Sequence, residues 1–174
     1  LPLELRSPHD FPIYEADTVF GHIPQRLHVP VDLVRSVWRP VDGYTARSLA
    51  RALRDFRPHL VHFHKFERLG YSVVPAAARS GASTIWSVYD YLAFCPGTYL
   101  QRREGGYCTE GQGARCYDCY RPGRRFPQLQ RALYHLRPRV IRTNLRPLDR
   151  VVVLSERCAQ IIAEHGIPKD KIRV

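Results

Sequence analysis

The sequence has no methionine, no long apolar run and comparatively few acidic residues, and each shortage limits what kind of protein the chain can be. Because translation starts with methionine, Leu1 is not a native start, and we expect the chain to be a fragment of a longer protein. No apolar stretch approaches the roughly 20 residues of a membrane-spanning helix, and no signal-peptide pattern opens the chain. The sequence therefore predicts a cytoplasmic protein that reaches a membrane only peripherally, at its inner face.

Acidic residues are too few to balance the basic ones. The chain has 27 Lys and Arg residues against 16 Asp and Glu residues, which gives a formal net charge of +11. This charge favours anionic partners, such as nucleic acid, phospholipid headgroups or phosphorylated small molecules.

The positive charge is concentrated in residues 120–148, called the basic segment below, which contain no acid. Its eight arginines are Arg121, Arg124, Arg125, Arg131, Arg137, Arg139, Arg142 and Arg146. Prolines at positions 122, 127, 138 and 147 predict several short pieces rather than one long helix. Two interpretations are open: a solvated helical face, or a surface that docks to an anionic membrane.

Outside the basic segment, apolar periodicity predicts alternating strands and helices. Helices are predicted at 44–56, 69–79 and 156–166, and strands at 60–64, 84–88 and 150–155, with another strand starting at the end of the chain. Residues 1–43 have little periodicity and are interpreted mostly as loop, with one candidate strand at Arg26–Val29. The β–α–β order predicts an α/β protein with a doubly wound parallel sheet, a Rossmann-like fold.

In such sheets, ligands bind outside the carboxyl ends of the strands. His64 and Lys65 end the first predicted strand, and Tyr89-Asp90-Tyr91 follows the second, so we expect these residues at one edge. Asp90 has a second interpretation, as a turn or cap residue. Tyr91 fits packing under the following loop as well as contact with a ligand.

Two further residues of these strands are interpreted as structural. His62 has the same side-chain parity as His64 and is expected deeper in the protein, as a core histidine with satisfied hydrogen bonds. Trp86, in the apolar strand TIWSV, is expected in the core.

Four cysteines at positions 95, 108, 116 and 119 have the spacing C-x12-C-x7-C-x2-C, in a loop with several glycines. Four thiolates can hold a structural zinc ion in a tetrahedron, and Cys95, Cys108, Cys116 and Cys119 are the candidate ligands. Such a metal would fold residues 95–119, the cysteine loop, rather than catalyse. An iron–sulfur cluster or two disulfides could use the same residues. Cys158, in a predicted helix, is interpreted as a small buried hydrophobe.

Three strings together resemble a known family: RPHLVHFHK, GASTIWSVYDYLAFCP with its trailing cysteines, and VVVLSERCAQIIAEHGIPKDKIRV. They resemble the N-terminal, acceptor-side domain of family 4 glycosyltransferases, which have the GT-B fold. The DYxxxCP motif and the four-cysteine loop resemble one subgroup. The resemblance covers residues 44–174 in the right order, and it implies that residues 1–174 are an N-terminal GT-B domain.

The resemblance implies retaining transfer of a sugar from a nucleotide-diphosphate sugar to a glycan or lipid-linked acceptor, as in hexosyltransferases. The donor would bind mostly to a C-terminal domain that this chain lacks, so we expect the fragment to be inactive alone. Catalytic roles fall to Asp90 and Tyr89, and acceptor binding to His64, Lys65 and Tyr91. The family has histidine where Tyr89 stands. Tyrosine, with a pKa near 10, is a poor general base, but such enzymes rely on the donor phosphate and on positioning.

The alternative is a zinc-containing nucleic-acid-binding module, which the net charge and the C-x-x-C pair suggest. It predicts strongly salt-dependent binding to DNA or RNA. The order of strands and helices argues against it, because it suggests no recognised nucleic-acid-binding fold.

Overall fold

The computed structural model describes residues 41–67, 69–120 and 127–174, together with the backbone of two short N-terminal strands. These are β1 (Glu4–Leu5) and β2 (Ile13–Tyr14), which pair antiparallel within a region predicted mostly as loop. The candidate strand at Arg26–Val29 lies outside the described residues.

The main sheet has four parallel strands in chain order. They are β3 (Leu60–Phe63), β4 (Ser83–Ser87), β5 (Arg150–Val152) and β6 (Ile172–Arg173). The helices are α1 (Gly43–Phe56), α2 (Val73–Ala78), α3 (Arg115–Tyr120), α4 (Pro127–Leu145) and α5 (Glu156–Glu164), and a 3₁₀ turn (Lys169–Lys171) precedes β6. This parallel sheet with flanking helices confirms the predicted α/β, Rossmann-like class.

Local chemistry sets the ends of α1. The Asp42 carboxylate caps it by accepting hydrogen bonds from the backbone N–H groups of Tyr44, at 3.0 Å, and Thr45, at 3.1 Å. At the other end Arg57 takes a left-handed conformation with φ 49°, and Pro58 follows. The predicted helix at 44–56 is therefore confirmed.

The second predicted helix, at 69–79, is shorter in the structure, where α2 covers only Val73–Ala78. Pro75 lies in its first turn, where backbone N–H groups have no intrahelical partner, so the missing donor costs little.

One face of the main sheet forms the core. Phe63, Trp86 and Val151 are register neighbours on this face, and all three are buried. The strands are also joined at their starts. Asp149, beside β5, accepts hydrogen bonds from the backbone N–H and the hydroxyl of Thr84 at 2.7 and 3.0 Å.

The expectation that prolines divide the basic segment into short pieces is wrong for residues 127–145, which form the single helix α4. Pro127 is its first residue, a position that needs no N–H donor. Pro138 lies inside the helix, at a cost of about 3 kcal/mol. Burial of Tyr134, Ile141 and Leu145 outweighs this cost, because each such side chain contributes about 1.5–3 kcal/mol.

Candidate functional site

The carboxyl ends of β3 and β4 bring two predicted site residues together. The Tyr89 hydroxyl lies 3.4 Å from His64 Nδ1, and the two rings stack with their centroids 5.9 Å apart. Tyr89 is 58% exposed, and His64 is exposed as well. Parallel, adjacent strands produce this pairing, because each residue follows its strand at the same edge. Both side chains can therefore be reached by a ligand from solvent.

The interpretation of His62 as a core residue is wrong, since its side chain is exposed. His62 lies on the sheet face opposite Phe63 and Trp86, and its neighbour Ile85 on that face is only half-buried. Its Nε2 lies 2.9 Å from the Ser87 hydroxyl, and its ring centroid lies 4.1 Å from that of His64, with the two rings tilted by 37°. His62 thus extends the polar group at the strand ends.

Lys65 is exposed and forms an ion pair with Glu67, with Nζ 2.9 Å from the carboxylate. The hydrogen bond to Glu67 raises the pKa of Lys65, and the nearby charge of Asp90 acts in the same direction. The ammonium group therefore stays charged at the same edge of the sheet as Asp90.

Asp90 begins the turn that follows β4. One of its carboxylate oxygens accepts a hydrogen bond from the backbone N–H of Leu92 at 2.9 Å, so the interpretation as a turn residue is confirmed. Among the described residues, its other oxygen has no hydrogen-bond partner. Asp90 is only half-buried, so that oxygen remains available to a ligand, and the turn role does not exclude a role in the site.

The turn after Asp90 holds unusual backbone conformations. The N–H of Tyr91 donates to the carbonyl of Thr98, and the N–H of Cys95 donates to the carbonyl of Tyr91. Thr98 and Leu100 have φ of 75° and 55°, left-handed values that cost non-glycine residues about 1 kcal/mol or more each. Strain of this kind persists where surrounding contacts over-determine the conformation.

Tyr91 packs against α5 with its ring half-buried, and its hydroxyl lies 3.2 Å from Cys158 Sγ. Burial, followed by the hydrogen bond to Cys158, raises the pKa of Tyr91 to about 12. The hydroxyl therefore stays protonated at neutral pH and cannot act as a general base. The interpretation of Tyr91 as a packing residue is confirmed in part: Tyr91 does pack, but its partner is α5, whereas packing under the following loop was expected.

The structural importance of Arg137 is not evident from the sequence, where it is one of eight arginines in a charge run. Arg137 is 2% exposed. Its guanidinium donates to the carbonyl of Leu92 at 2.7 Å and to the side-chain oxygen of Gln112, whose amide donates to the carbonyl of Ala93. Arg137 thereby joins α4, the cysteine loop and the turn after Asp90. A usable signal existed, because Arg137 has helical spacing with the apolar residues Tyr134 and Ile141.

The cysteine loop surrounds a cavity of about 380 Å³, and all four of its cysteines line that cavity. All the cysteines of the chain are free thiols. Burial raises the pKa of the Cys116 thiol. Among residues 41–67, 69–120 and 127–174, no three His, Cys, Asp or Glu side chains stand close enough together to hold a metal.

The basic segment presents only part of its charge to solvent. Arg139, Arg142 and Arg146 are exposed, and Arg131 is exposed but bridges to Asp118 at 2.7 Å. Arg121, Arg124 and Arg125 lie outside the described residues. No helix in the described part of the chain has both the length and the apolar character needed to cross a membrane.

Comparison with known proteins gives one match. Residues 11–174 match the family model described as a glycosyl transferase 4-like domain. No curated protein and no solved structure matches the chain.

Proposed function

Since the chain belongs to the glycosyl transferase 4-like family and is a glycosyltransferase domain, we propose that it forms the acceptor side of a retaining enzyme. The enzyme transfers a sugar from a nucleotide-diphosphate sugar to a glycan or lipid-linked acceptor. One observation supports this assignment most: His64 and Tyr89 come together at the carboxyl edge of the parallel sheet, where such folds bind ligands, and Asp90 directly follows Tyr89.

In this proposal, Asp90 binds a hydroxyl of the acceptor through the oxygen that the turn leaves without a partner. Tyr89 and His64 share a hydrogen bond, and the Tyr89 hydroxyl orients a sugar hydroxyl beside them. Lys65 supplies a positive charge at the rim, and Tyr91 positions the Asp90 turn through its contact with Cys158. Positioning of this kind removes much of the entropic cost of bringing two reactants together.

The reaction then needs no nucleophile from this chain. The acceptor oxygen forms a bond to the anomeric carbon while the bond from that carbon to the donor phosphate breaks. The proton of the acceptor hydroxyl passes to the departing phosphate, and nucleoside diphosphate is released. The side chains of the edge would hold the acceptor on the same face of the sugar from which the phosphate departs, so that the anomeric configuration is retained.

Sugar transfer tests the proposal in the native polypeptide that carries this domain. With UDP-hexoses and GDP-hexoses as probes, and lipid-linked or free oligosaccharide added, we expect acceptor-dependent release of nucleoside diphosphate. Nuclear magnetic resonance of the product should show the anomeric configuration of the donor. An inverted product would contradict the retaining mechanism. Salt-sensitive binding to DNA or RNA without any nucleotide-sugar turnover would favour the nucleic-acid-binding alternative.

We also propose that the outer face of α4 holds the enzyme at an anionic membrane, where a lipid-linked acceptor would lie. Leu129 and Leu136 are 56% and 46% exposed on this helix, and Arg139 and Arg142, nearer its C-terminal end, are exposed as well. An apolar stripe beside basic side chains is typical of helices that lie in the membrane interface.

Reversing the charge of Arg139 and Arg142 together, by R139E and R142E, should weaken binding to phosphatidylglycerol-containing vesicles by at least about tenfold. Each basic residue near an anionic surface contributes roughly 1 kcal/mol, and reversal adds repulsion. Co-sedimentation at low and high salt measures the effect. R51E with R54E, exposed arginines of α1, gives a control of equal charge change. If both double variants lose vesicle binding equally, the binding depends on net charge and not on α4. If the wild type does not bind the vesicles, the outer face of α4 is simply a solvated helical face.

A further inference from the structure

Tyr99 presents a large aromatic side chain to solvent beside the candidate site, where it is 75% exposed. We infer, on the basis of the proposed sugar transfer, that Tyr99 is a stacking platform for a pyranose ring of the acceptor. The part of the acceptor that this domain holds is then a carbohydrate, whether or not a lipid carries it. Tyr99 becomes a residue that determines acceptor specificity, beyond the residues that follow the two strands.

The backbone joins Tyr99 to the turn that begins at Asp90. The N–H of Tyr91 donates to the carbonyl of Thr98 at 3.0 Å. The donor belongs to the peptide group that links Asp90 to Tyr91, and the acceptor belongs to the peptide group that links Thr98 to the next residue, Tyr99. Asp90 and Tyr99 are therefore neighbours across one hydrogen bond, although they are far from adjacent in sequence.

The ammonium group of Lys65 places both side chains in the same neighbourhood. The hydrogen bond and the charge of Glu67 raise the pKa of Lys65 most, and Asp90 and Tyr99 act in the same direction. Electrostatic effects of this kind fall off with distance, so Asp90 and Tyr99 both lie near the ammonium group. Since Lys65 follows the carboxyl end of β3, the platform lies at the edge where the acceptor is proposed to bind.

The backbone on both sides of Tyr99 is strained. Thr98 and Leu100 have φ of 75° and 55°, values that are rare for β-branched and bulky residues. Contacts hold them there: the N–H of Thr98 donates to the carbonyl of Cys95 at 2.9 Å, and the carbonyl of the buried Leu100 accepts from the N–H of Cys108 at 2.6 Å. Strain of this kind clusters at ligand-binding sites. Because both of its neighbours are held in place, Tyr99 is presented to solvent on a well-fixed backbone.

An exposed tyrosine on a fixed backbone suits a sugar ring. One face of a pyranose carries several C–H groups, which pack against the electron-rich face of an aromatic ring. Tyrosine has only two side-chain torsions, so little entropy is lost when a ligand orders it. The Tyr99 hydroxyl has no hydrogen-bond partner among the described residues and can bond a sugar hydroxyl. Tyr99 would thus recognise the C–H face of the ring whose hydroxyl Asp90 binds.

Kinetics of the native polypeptide that carries this domain test the platform. Y99A should raise KM for the acceptor about tenfold or more and leave kcat and KM for the nucleotide sugar unchanged, because a contact made equally in the ground state and the transition state acts on KM alone. Y99F keeps the ring and should keep most of the affinity. Y99L keeps apolar bulk without a ring and should resemble Y99A. The control is F56A, which removes a 60% exposed aromatic side chain at the last residue of α1 and should match the wild type.

Saturation-transfer nuclear magnetic resonance gives a readout that does not need turnover. Saturating the aromatic protons of the protein should transfer magnetisation to the ring C–H protons of cellotriose, chitotriose or mannotriose. Y99A should lose this transfer, and F56A should retain it. Transfer that depends on Tyr99 in a protein without turnover would support the platform and contradict the proposed enzymatic activity.

Two kinetic results would overturn the platform and leave sugar transfer intact. One is a wild-type acceptor KM in Y99A. The other is an equal acceptor KM in Y99F and Y99L, which would show that the aromatic face is not needed. A wild type that neither turns over nor receives saturation transfer with any of the three sugars would contradict both the platform and the enzymatic activity.

Discussion

Replacing Asp90 by asparagine is expected to lower kcat/KM for sugar transfer about tenfold or more, as much as replacement by alanine does. Asparagine retains a side-chain oxygen that can accept the hydrogen bond from the backbone N–H of Leu92, now 2.9 Å long. It therefore preserves the turn and removes only the negative charge. Alanine removes both the hydrogen-bond acceptor that holds the turn and the negative charge, so the two variants separate the turn role of Asp90 from its proposed contact with the acceptor.

Thermal unfolding should show D90N close to the wild type and D90A less stable, because only alanine leaves the Leu92 N–H without its partner. D55N serves as the matched control, since Asp55 is an exposed acid on α1, away from the strand ends. Its kcat/KM should stay at the wild-type value. If D90N has wild-type kcat/KM while D90A does not, Asp90 acts through the turn alone.

The fold could be predicted from sequence because its main elements have strong local signals. The helical spacing of apolar residues from Tyr44 to Phe56 predicts α1 to within one residue, and the short apolar runs predict β3 and β4. Serine is a favoured residue before a helix, and the Ser155 side chain caps the last helix by accepting a hydrogen bond from the backbone N–H of Cys158. Where local preference and burial agree in this way, sequence periodicity is sufficient.

Errors in the fold arise where tertiary packing outweighs local preference. Pro138 indicates a break, yet α4 continues through it because the face with Ile141 and Leu145 is buried. His62 was expected in the core because it shares its side of the strand with His64 and precedes it, deeper along the strand. In the structure, its face is only partly covered, and His62 is exposed.

The site was predictable in position but not in detail. The order of elements places His64 and Tyr89 at one edge, and their side chains lie 3.4 Å apart there. The link from Arg137 to Leu92 joins residues 45 positions apart, and no periodicity reveals its partner. The positive φ of Leu100 is also hidden from sequence, because leucine rarely adopts it. Long-range polar contacts and strained backbone are tertiary properties.

Trp86→Ala should be the most destabilising of the changes considered, lowering the free energy of unfolding by about 3–5 kcal/mol. Trp86 is 3% exposed, and its ring packs edge-on against Phe66 at 5.2 Å and beside Phe94 at 6.1 Å. Removing it leaves a cavity between the central strand and the turn that carries the site. Because a domain has only about 5–15 kcal/mol of stability, this loss is a large part of the total.

Urea unfolding followed by circular dichroism at 222 nm measures this loss without relying on tryptophan fluorescence. Trp86→Phe keeps an aromatic ring in the same space and should cost clearly less than alanine. Tyr99→Ala, which removes an aromatic side chain that is 75% exposed in the neighbouring loop, should stay within about 0.5 kcal/mol of the wild type. Phe94 contacts Trp86 and lies next to Cys95, so Trp86→Ala should also loosen the turn and lower kcat/KM at temperatures where the chain remains folded. A stability loss below about 1 kcal/mol would show that Trp86 does not hold the sheet and the turn together.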